Sequence, residues 1–514
     1  MKLPAFLAAH ARATPQREAL RCGDAILTFG EFEAQSSRLA GALAARGVAV
    51  GDRVVLLMGN RIEFLVVFMA VVKAGAIAIT LNPRLSGPEV GYILGDATPR
   101  AVFFDAETRD ILERSGASVP LRICTGGPAQ GDELSHAALC AEGDLQPPPV
   151  PPEFDDCMIG YTSGTTGKPK GAIITQSNYI VSNGFLNAQQ WAMGTADRVL
   201  TTTPLAHRTA FSRLMNVICL GTPAVIMQRF EAAEAARLIE THNISVLGMV
   251  PTVGRMLLPE IEAAPQRFAN LRIAVVTGEA FPVEIKRRLA QALPQLKLYS
   301  FFAMTELGPV TNLGAEEQVS KAASVGRVNP GVEVRLVDEQ GRDVPVGEAG
   351  EIRVRSGAPG SYITMRGYFN KPRETAEAMS DGWFATGDMG RFDEQGYLYI
   401  VDRKKDMVLS GGYNIYSKEV ENTLLEIPGV RDAAVVGVPD PVFGEAVAAF
   451  IEADPQAGLT AEAVVEHCRE RIASYKKPKH VVFVDALPRN STGKVLKYEL
   501  RQGFATDEKT QKQG

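Results

Sequence analysis

The sequence predicts an α/β protein built mainly from parallel sheets covered by helices, and three observations carry that expectation. Short β-rich apolar runs such as Arg53-Val54-Val55-Leu56-Leu57-Met58, Ile77-Ala78-Ile79-Thr80 and Ala101-Val102-Phe103-Phe104 alternate with helical patterns such as Phe29 to Arg46. From about residue 320 the rhythm changes to closely spaced strands with Gly and Asp turns, as in Val332 to Val337 and Gly350 to Arg355, which reads as a smaller, partly antiparallel sheet region. After Val401 a charged run, Asp402-Arg403-Lys404-Lys405-Asp406, precedes a mixed segment of about 110 residues that is long enough for a core of its own. The domains expected are therefore 1–401, a hinge at 402–406, and 407–514.

Each element has a local reason. Met1 to His10 looks faintly like a signal peptide, but Pro4, His10 and Arg12 leave too short an apolar region, so an amphipathic first helix is expected. The most apolar stretch, Phe64 to Leu81, is broken by Lys73 and Gly75, which suits a buried helix running into a buried strand rather than a membrane span. The proline run Pro147 to Pro152 cannot continue a helix or a central strand and reads as a stiff connector. No fixed-period repeat is present.

Composition narrows the function classes. A chain of 514 residues, 46% hydrophobic and 22% charged with a formal net charge of −5, describes a mildly acidic soluble protein with nothing to attract nucleic acid as a whole. Its six cysteines lie far apart without a C-x-x-C pair, so neither a disulfide framework nor a zinc site is expected and a cytoplasmic setting is the natural reading. The terminal Lys512-Gln513-Gly514 carries no lipidation or peroxisomal signal.

The chemistry is concentrated in Tyr161-Thr162-Ser163-Gly164-Thr165-Thr166-Gly167-Lys168-Pro169-Lys170-Gly171. Glycines let backbone N–H groups converge on an anion, hydroxyls donate to phosphate oxygens or bind Mg²⁺, and lysines neutralise charge. A Gly-rich surface turn is the plain alternative, and Walker A spacing is absent. The segment resembles the signature of the adenylate-forming superfamily of acyl-CoA synthetases, peptide-synthetase adenylation domains and firefly luciferase.

Further segments resemble that superfamily's motifs in order. Phe302-Ala303-Met304-Thr305-Glu306 is similar to its Tyr-Gly-x-Thr-Glu segment, with Phe302 losing a hydroxyl and Ala303 replacing glycine. The resemblance implies that this segment holds adenine, that Thr305 contacts the α-phosphate, and that Glu306, with Thr162, lies at Mg²⁺. Thr277-Gly278-Glu279-Ala280 resembles the segment lying against adenosine, and Gly382-Trp383-Phe384-Ala385-Thr386-Gly387-Asp388 the one whose Asp388 takes the ribose hydroxyls. Arg403 matches a second ribose contact and Lys405 the hinge residue. Ser410 to Tyr416, with Gly411 and Gly412, resembles the loop that approaches the thiol cofactor, Ser417 standing where proline is usual. Leu487 to Lys497 resembles the C-terminal motif whose lysine serves adenylation, here Lys494.

With this resemblance, the fold expected is a large N-terminal domain of parallel sheets covered by helices plus a small distorted β-barrel region, followed by a small mobile α+β C-terminal domain. The activity implied is acid–thiol ligation: ATP and Mg²⁺ convert a carboxylic acid to its acyl-AMP, and coenzyme A takes the acyl group. Loading of a carrier protein is the alternative, and a nucleotide-binding paralogue without activity is disfavoured because Thr305, Glu306, Asp388, Arg403 and Lys494 are all present. His207, in Pro204 to Phe211, resembles the histidine beside the acyl group and is equally a satisfied core histidine on residues alone. Arg208 and Arg213 stand out in an apolar stretch, and either could meet a second polar or anionic group on the substrate. Lys476, Lys477 and Lys479 suit an acidic cofactor, an acidic carrier protein or a plain basic surface. Monomer and homodimer both stay open.

Overall fold

The computed structural model describes residues 2–142, 146–162, 168–277, 281–489 and 495–511, the last seven by backbone only. Fourteen strands build two seven-stranded sheets. They are β1 (Glu18–Cys22), β2 (Ala25–Thr28), β3 (Arg53–Leu57), β4 (Ile77–Thr80), β5 (Ala101–Phe104), β6 (Leu121–Cys124), β7 (Leu134–Ser135), β8 (Asp156–Thr162), β9 (Lys170–Thr175), β10 (Val199–Thr201), β11 (Ala224–Ile226), β12 (Val246–Met249), β13 (Ile273–Val276) and β14 (Lys297–Ser300). One sheet has the order β7-β6-β5-β3-β4-β8-β9 and the other β14-β13-β12-β10-β11-β1-β2. Both are parallel except where a hairpin closes an edge, β8 with β9 and β1 with β2. Near-continuous apolar runs such as Ile77–Thr80, buried throughout, are what a parallel sheet covered on both faces requires.

The helices form for local reasons that are legible in the chain. Thr28 and Glu31 close a reciprocal capping box at the start of the Phe29–Ala45 helix. The first helix, Leu3–Ala13, buries Leu3 and Leu7 as its amphipathic pattern requires. The apolar stretch after Arg61 is a buried helix, Ile62–Lys73, turned by Gly75 (φ 73°) into β4. Lys73 is 6% exposed and meets Glu33 at 2.9 Å and the hydroxyls of Ser36 and Ser37, so its buried charge is paired. Phe64 and Phe68 pack on Phe211 of the Arg208–Leu220 helix, joining the helical cover of one sheet to that of the other. Among the described residues no helix is long and apolar enough to cross a membrane.

Two compact units emerge, residues 1–334 with 354–384, and residues 335–353 with 385–514. The second contains the antiparallel pairing of Asp388 to Phe392 with Leu398 to Arg403, a turn at 404–406, and a small sheet whose longest strands are Val430–Asp440 and Gly444–Ala453. Helices Ser417–Leu425 and Ala461–Arg471 supply its core with Val420, Leu424, Val464 and Cys468. A small C-terminal body of mixed helix and strand accords with the fold class expected, while this unit also takes in residues 335–353 and 385–406 ahead of the expected 407–514.

Candidate active site

In the β10–β14 sheet the chain runs from β10 to β11 on one side, then returns to lay β12, β13 and β14 on the other. Such a reversal opens a crevice beyond the carboxyl ends of the strands. The sequence-predicted residues of the first unit cluster at these ends. His207 follows β10, Thr277 follows β13, and Phe302 to Glu306 follow β14.

Glu306 is the centre of this arrangement. It is 6% exposed, and its Oε1 accepts from the Thr162 hydroxyl at 3.3 Å and from the Tyr368 hydroxyl at 3.0 Å. Its carbonyl accepts from the Met365 N–H at 2.7 Å. Burial and the neighbouring Glu306 charge push the Tyr368 pKa well above the ordinary phenol, so its hydroxyl stays a neutral donor. Thr305 lies against the backbone of β8: a Cβ added at Gly160 would stand 2.8 Å from Thr305 Cγ2, so glycine permits the close approach of the two segments. Phe302 is half-buried and Ala303 exposed, and the Phe302 N–H donates to Thr311 Oγ1 at 3.1 Å.

Thr162 and Lys170 face each other across the β8–β9 hairpin, so the phosphate-type loop is the hairpin connection. Ser163, Gly164, Thr165, Thr166 and Gly167 lie outside the described residues, as do Gly278, Glu279 and Ala280 beyond Thr277. Lys170 Nζ sits 5.4 Å from the Tyr368 ring centroid and Lys168 Nζ 5.7 Å from that of Tyr92, contacts by which the rings hold the ammonium groups.

His207 caps the Arg208–Leu220 helix, its Nδ1 accepting from the Thr209 N–H at 3.3 Å, which places the ring proton on Nε2. His207 is exposed to solvent, and partial desolvation by the neighbouring protein lowers its pKa, which favours the neutral ring at pH 7. Arg208 donates to the Met304 carbonyl at 3.0 Å, and burial lowers its pKa against the opposing pull of Tyr179 and Glu306. Thr277 donates to Thr209 Oγ1 at 3.0 Å. These bonds tie the ends of β10, β13 and β14 into one rim.

In the second unit, Asp388 is 3% exposed and pairs directly with Arg403 across the strands, Nε to Oδ1 at 2.9 Å. Gly387 (φ 70°) accepts from the Lys404 N–H at 2.9 Å, and the Asp388 N–H donates to Thr386 Oγ1 at 3.1 Å, so these bonds anchor the backbone at Asp388. Gly411 (φ 58°) and Gly412 (φ 82°) form the tip between strands Val408–Ser410 and Tyr413–Ile415, left-handed positions that glycine fills without strain. Lys494 lies outside the described residues. Lys497 is held by Glu421 Oε1 and Ser417 Oγ, each at 2.7 Å. Ser417, where the resembling loops carry proline, donates its N–H to Asp402 Oδ2 and its hydroxyl to Asp402 Oδ1 at 3.1 Å. Proline has no N–H, so this tie to Asp402, at the end of the strand before the 404–406 turn, depends on the substitution.

Tyr368 is the site residue that motif spacing misses. It lies 62 residues from Glu306 in an irregular segment, and no local pattern marks it. The donor set around Glu306, a carboxylate and two hydroxyls, suits a hard cation; among the described residues no group of three or more His, Cys, Asp or Glu gathers, and Mg²⁺ takes one or two carboxylates with substrate phosphates rather than an all-protein cage.

A buried carboxylate beside a Gly- and hydroxyl-rich hairpin, at the carboxyl edge of a doubly wound sheet, defines a nucleotide-type α/β enzyme. The chain belongs to the AMP-binding enzyme family, which it matches over residues 7–369, with that family's C-terminal domain at 419–494, and within the adenylate-forming superfamily it is an acyl-CoA synthetase. It is 34% identical over 489 residues to a long-chain-fatty-acid–CoA ligase of Mycobacterium tuberculosis, covering 94% of each chain. It is 35% identical over 512 residues to an indoleacetate–CoA ligase of Aromatoleum aromaticum, covering 98% of each. Among solved structures, O-succinylbenzoate coenzyme A synthetase from Bacillus subtilis, in complex with ATP and magnesium ion, superposes with a TM-score of 0.83 at 29% identity, over 96% of this chain and 98% of that one.

Proposed function

We propose that this ATP-dependent, AMP-forming acid–thiol ligase uses the crevice around Glu306 for adenylation and coenzyme A as its acyl acceptor. The observation that carries the reading is the buried Glu306 carboxylate facing Thr162 at the base of the phosphate loop, with Thr305 alongside. A carboxylate is a poor electrophile, so its oxygen first attacks the α-phosphorus of ATP; the P–O bond to pyrophosphate breaks and the acyl-adenylate remains. The thiol of coenzyme A then attacks the acyl carbon, and AMP leaves with the electron pair of the broken C–O bond. Catalysis of this kind is alignment and charge compensation.

Thr162, Ser163, Gly164, Thr165, Thr166, Gly167, Lys168 and Lys170 receive the phosphates. Thr305 takes the α-phosphate, while Phe302, Ala303, Gly278, Glu279 and Ala280 enclose adenosine. Thr162 and Glu306 would hold Mg²⁺, which compensates phosphate charge when bound. Asp388 and Arg403 take the ribose hydroxyls, His207 lines the acyl group, and Gly411 and Gly412 admit the thiol. Lys494 bridges the incoming carboxylate and the α-phosphate. The names of the relatives span fatty and aryl-acetic acids, so family membership leaves the acid open. Pyrophosphate release over a panel of aliphatic, aryl and dicarboxylic acids, with and without coenzyme A, tests the reading. Turnover that needs coenzyme A and yields its thioester supports it, and release without thioester points to carrier loading.

Two variants bear on the second unit. Asp388→Asn leaves the Arg403 guanidinium without its carboxylate and removes a charged acceptor, so KM for ATP should rise about 10- to 100-fold with a smaller change in kcat; an unchanged KM for ATP removes Asp388 from the nucleotide site. Lys405 lies exposed in the 404–406 turn, where proline fixes φ and constrains Lys404 before it. If this turn is the hinge, Lys405→Pro should leave pyrophosphate exchange near wild type and lower thioester yield about tenfold or more. Equal loss of both half-reactions sinks the hinge assignment.

A further inference from the structure

Arg213 is 5% exposed on the Arg208–Leu220 helix and, among the described residues, makes no hydrogen bond or ion pair; its Nη1 is buried without a partner. A buried charge is normally paired, because the lost hydration is otherwise uncompensated. Here the face of the guanidinium lies 4.8 Å from the centroid of the buried Trp191 ring, which favours a cation but leaves the N–H edges of the planar fork unused. Among the described residues no carboxylate pairs with it; Trp191 Nε1 and Asn216 Nδ2 are also buried without partners, as is Oδ1 of Asn183, whose amide N–H donates to Asn216 Oδ1. Burial brings the Arg213 pKa down to about 10, which leaves it charged at pH 7. The sequence has made room for this side chain. A Cβ at Gly248, inside strand β12, would stand 2.6 Å from Arg213 Cγ, and glycine within a central strand otherwise weakens it.

The position is specific. Thr209, Arg213 and Asn216 follow one another on one face of the helix at the i, i+4, i+7 spacing. Thr209 bonds to Thr277 at the rim where the acid is activated, so Arg213 stands one turn deeper, about 6 Å along the helix axis. Arg208 is already committed to the Met304 carbonyl and so is not available for the same task.

We propose that Arg213 is a specificity-determining residue that receives a second carboxylate on the acid substrate, making the substrate class short dicarboxylic acids. The proposal rests on the acid-activating reading above. A guanidinium edge matches a carboxylate with two parallel N–H···O bonds, and the indole beneath holds the fork in orientation.

The test compares the full chain with Arg213→Met, which keeps length and removes charge, and with Arg213→Lys. The acids are succinate through suberate and their monomethyl esters. Each is measured twice, by pyrophosphate release with ATP, Mg²⁺ and coenzyme A and by the rise in thermal midpoint on binding. The wild-type protein should prefer a diacid over its monoester by about tenfold or more in kcat/KM, through KM; Arg213→Met should lose about 10- to 100-fold on the diacid and little on the ester, with Arg213→Lys between. Equal losses on both, or a wild-type preference for the ester, overturn the proposal, as does the absence of both turnover and binding. Diacid binding that needs Arg213 without pyrophosphate release keeps the proposal and removes the acid-activating reading. Turnover independent of Arg213 does the reverse.

Discussion

Glu306→Ala is expected to lower ATP-dependent pyrophosphate release by about 10²–10³, the usual cost of deleting one preorganised electrostatic group from a water-poor site. The loss has two sources. One is the proposed Mg²⁺-holding carboxylate itself. The other is local: the Thr162 and Tyr368 hydroxyls both donate to Glu306 Oε1, so deletion strands two donors, one on a half-buried tyrosine. Glu306→Gln separates them, since an amide oxygen still accepts from both hydroxyls but carries no charge. It should retain the thermal midpoint of the wild type while raising the Mg²⁺ concentration needed for half-maximal rate. A Glu306→Gln protein with wild-type rate and Mg²⁺ dependence would remove this carboxylate from the metal site and leave it a structural hub.

Lys494→Ala should lower the first half-reaction by a similar factor of about 10²–10³, because the charge it brings to the carboxylate and α-phosphate is needed as pyrophosphate departs. Thioester formation from supplied acyl-adenylate should fall far less, since the α-phosphorus bond has already changed hands. Lys497, three residues further on and held by Glu421 and Ser417, serves as the control: its charge is spent inside the second unit, so Lys497→Ala should change the thermal midpoint more than the ratio of the two half-reactions. If both half-reactions fall together in Lys494→Ala, the division of labour assigned to that lysine is wrong.

Much of the fold is legible from local chemistry. The runs Ile77–Thr80, Ala101–Phe104 and Gly350–Arg355 are strands as their β-rich pattern predicts, and the helical pattern from Phe29 is a helix, which Thr28 and Glu31 cap. The break in the apolar stretch at Lys73 and Gly75 marks the end of a buried helix and the turn into β4, because a charge and a left-handed glycine both interrupt a continuous span. Of the two conspicuous arginines, composition could say only that each was out of place. Packing separates them, giving Arg208 a carbonyl and leaving Arg213 with an indole and, among the described residues, no anion.

By itself, then, the sequence determined the class of chemistry and the elements that deliver it. Phosphate-binding loops, caps and strand runs are short-range patterns, and each residue's contribution is set by neighbours a few positions away. Only the tertiary structure decided which distant groups meet. Glu306 finds Thr162 across 144 residues and Tyr368 across 62, and Asp388 meets Arg403 through strand register. Such bonds follow from sheet order and side-chain burial, which spacing along the chain does not encode, and in a low-dielectric crevice it is those distant partners that decide which charge is satisfied and which is left for a substrate.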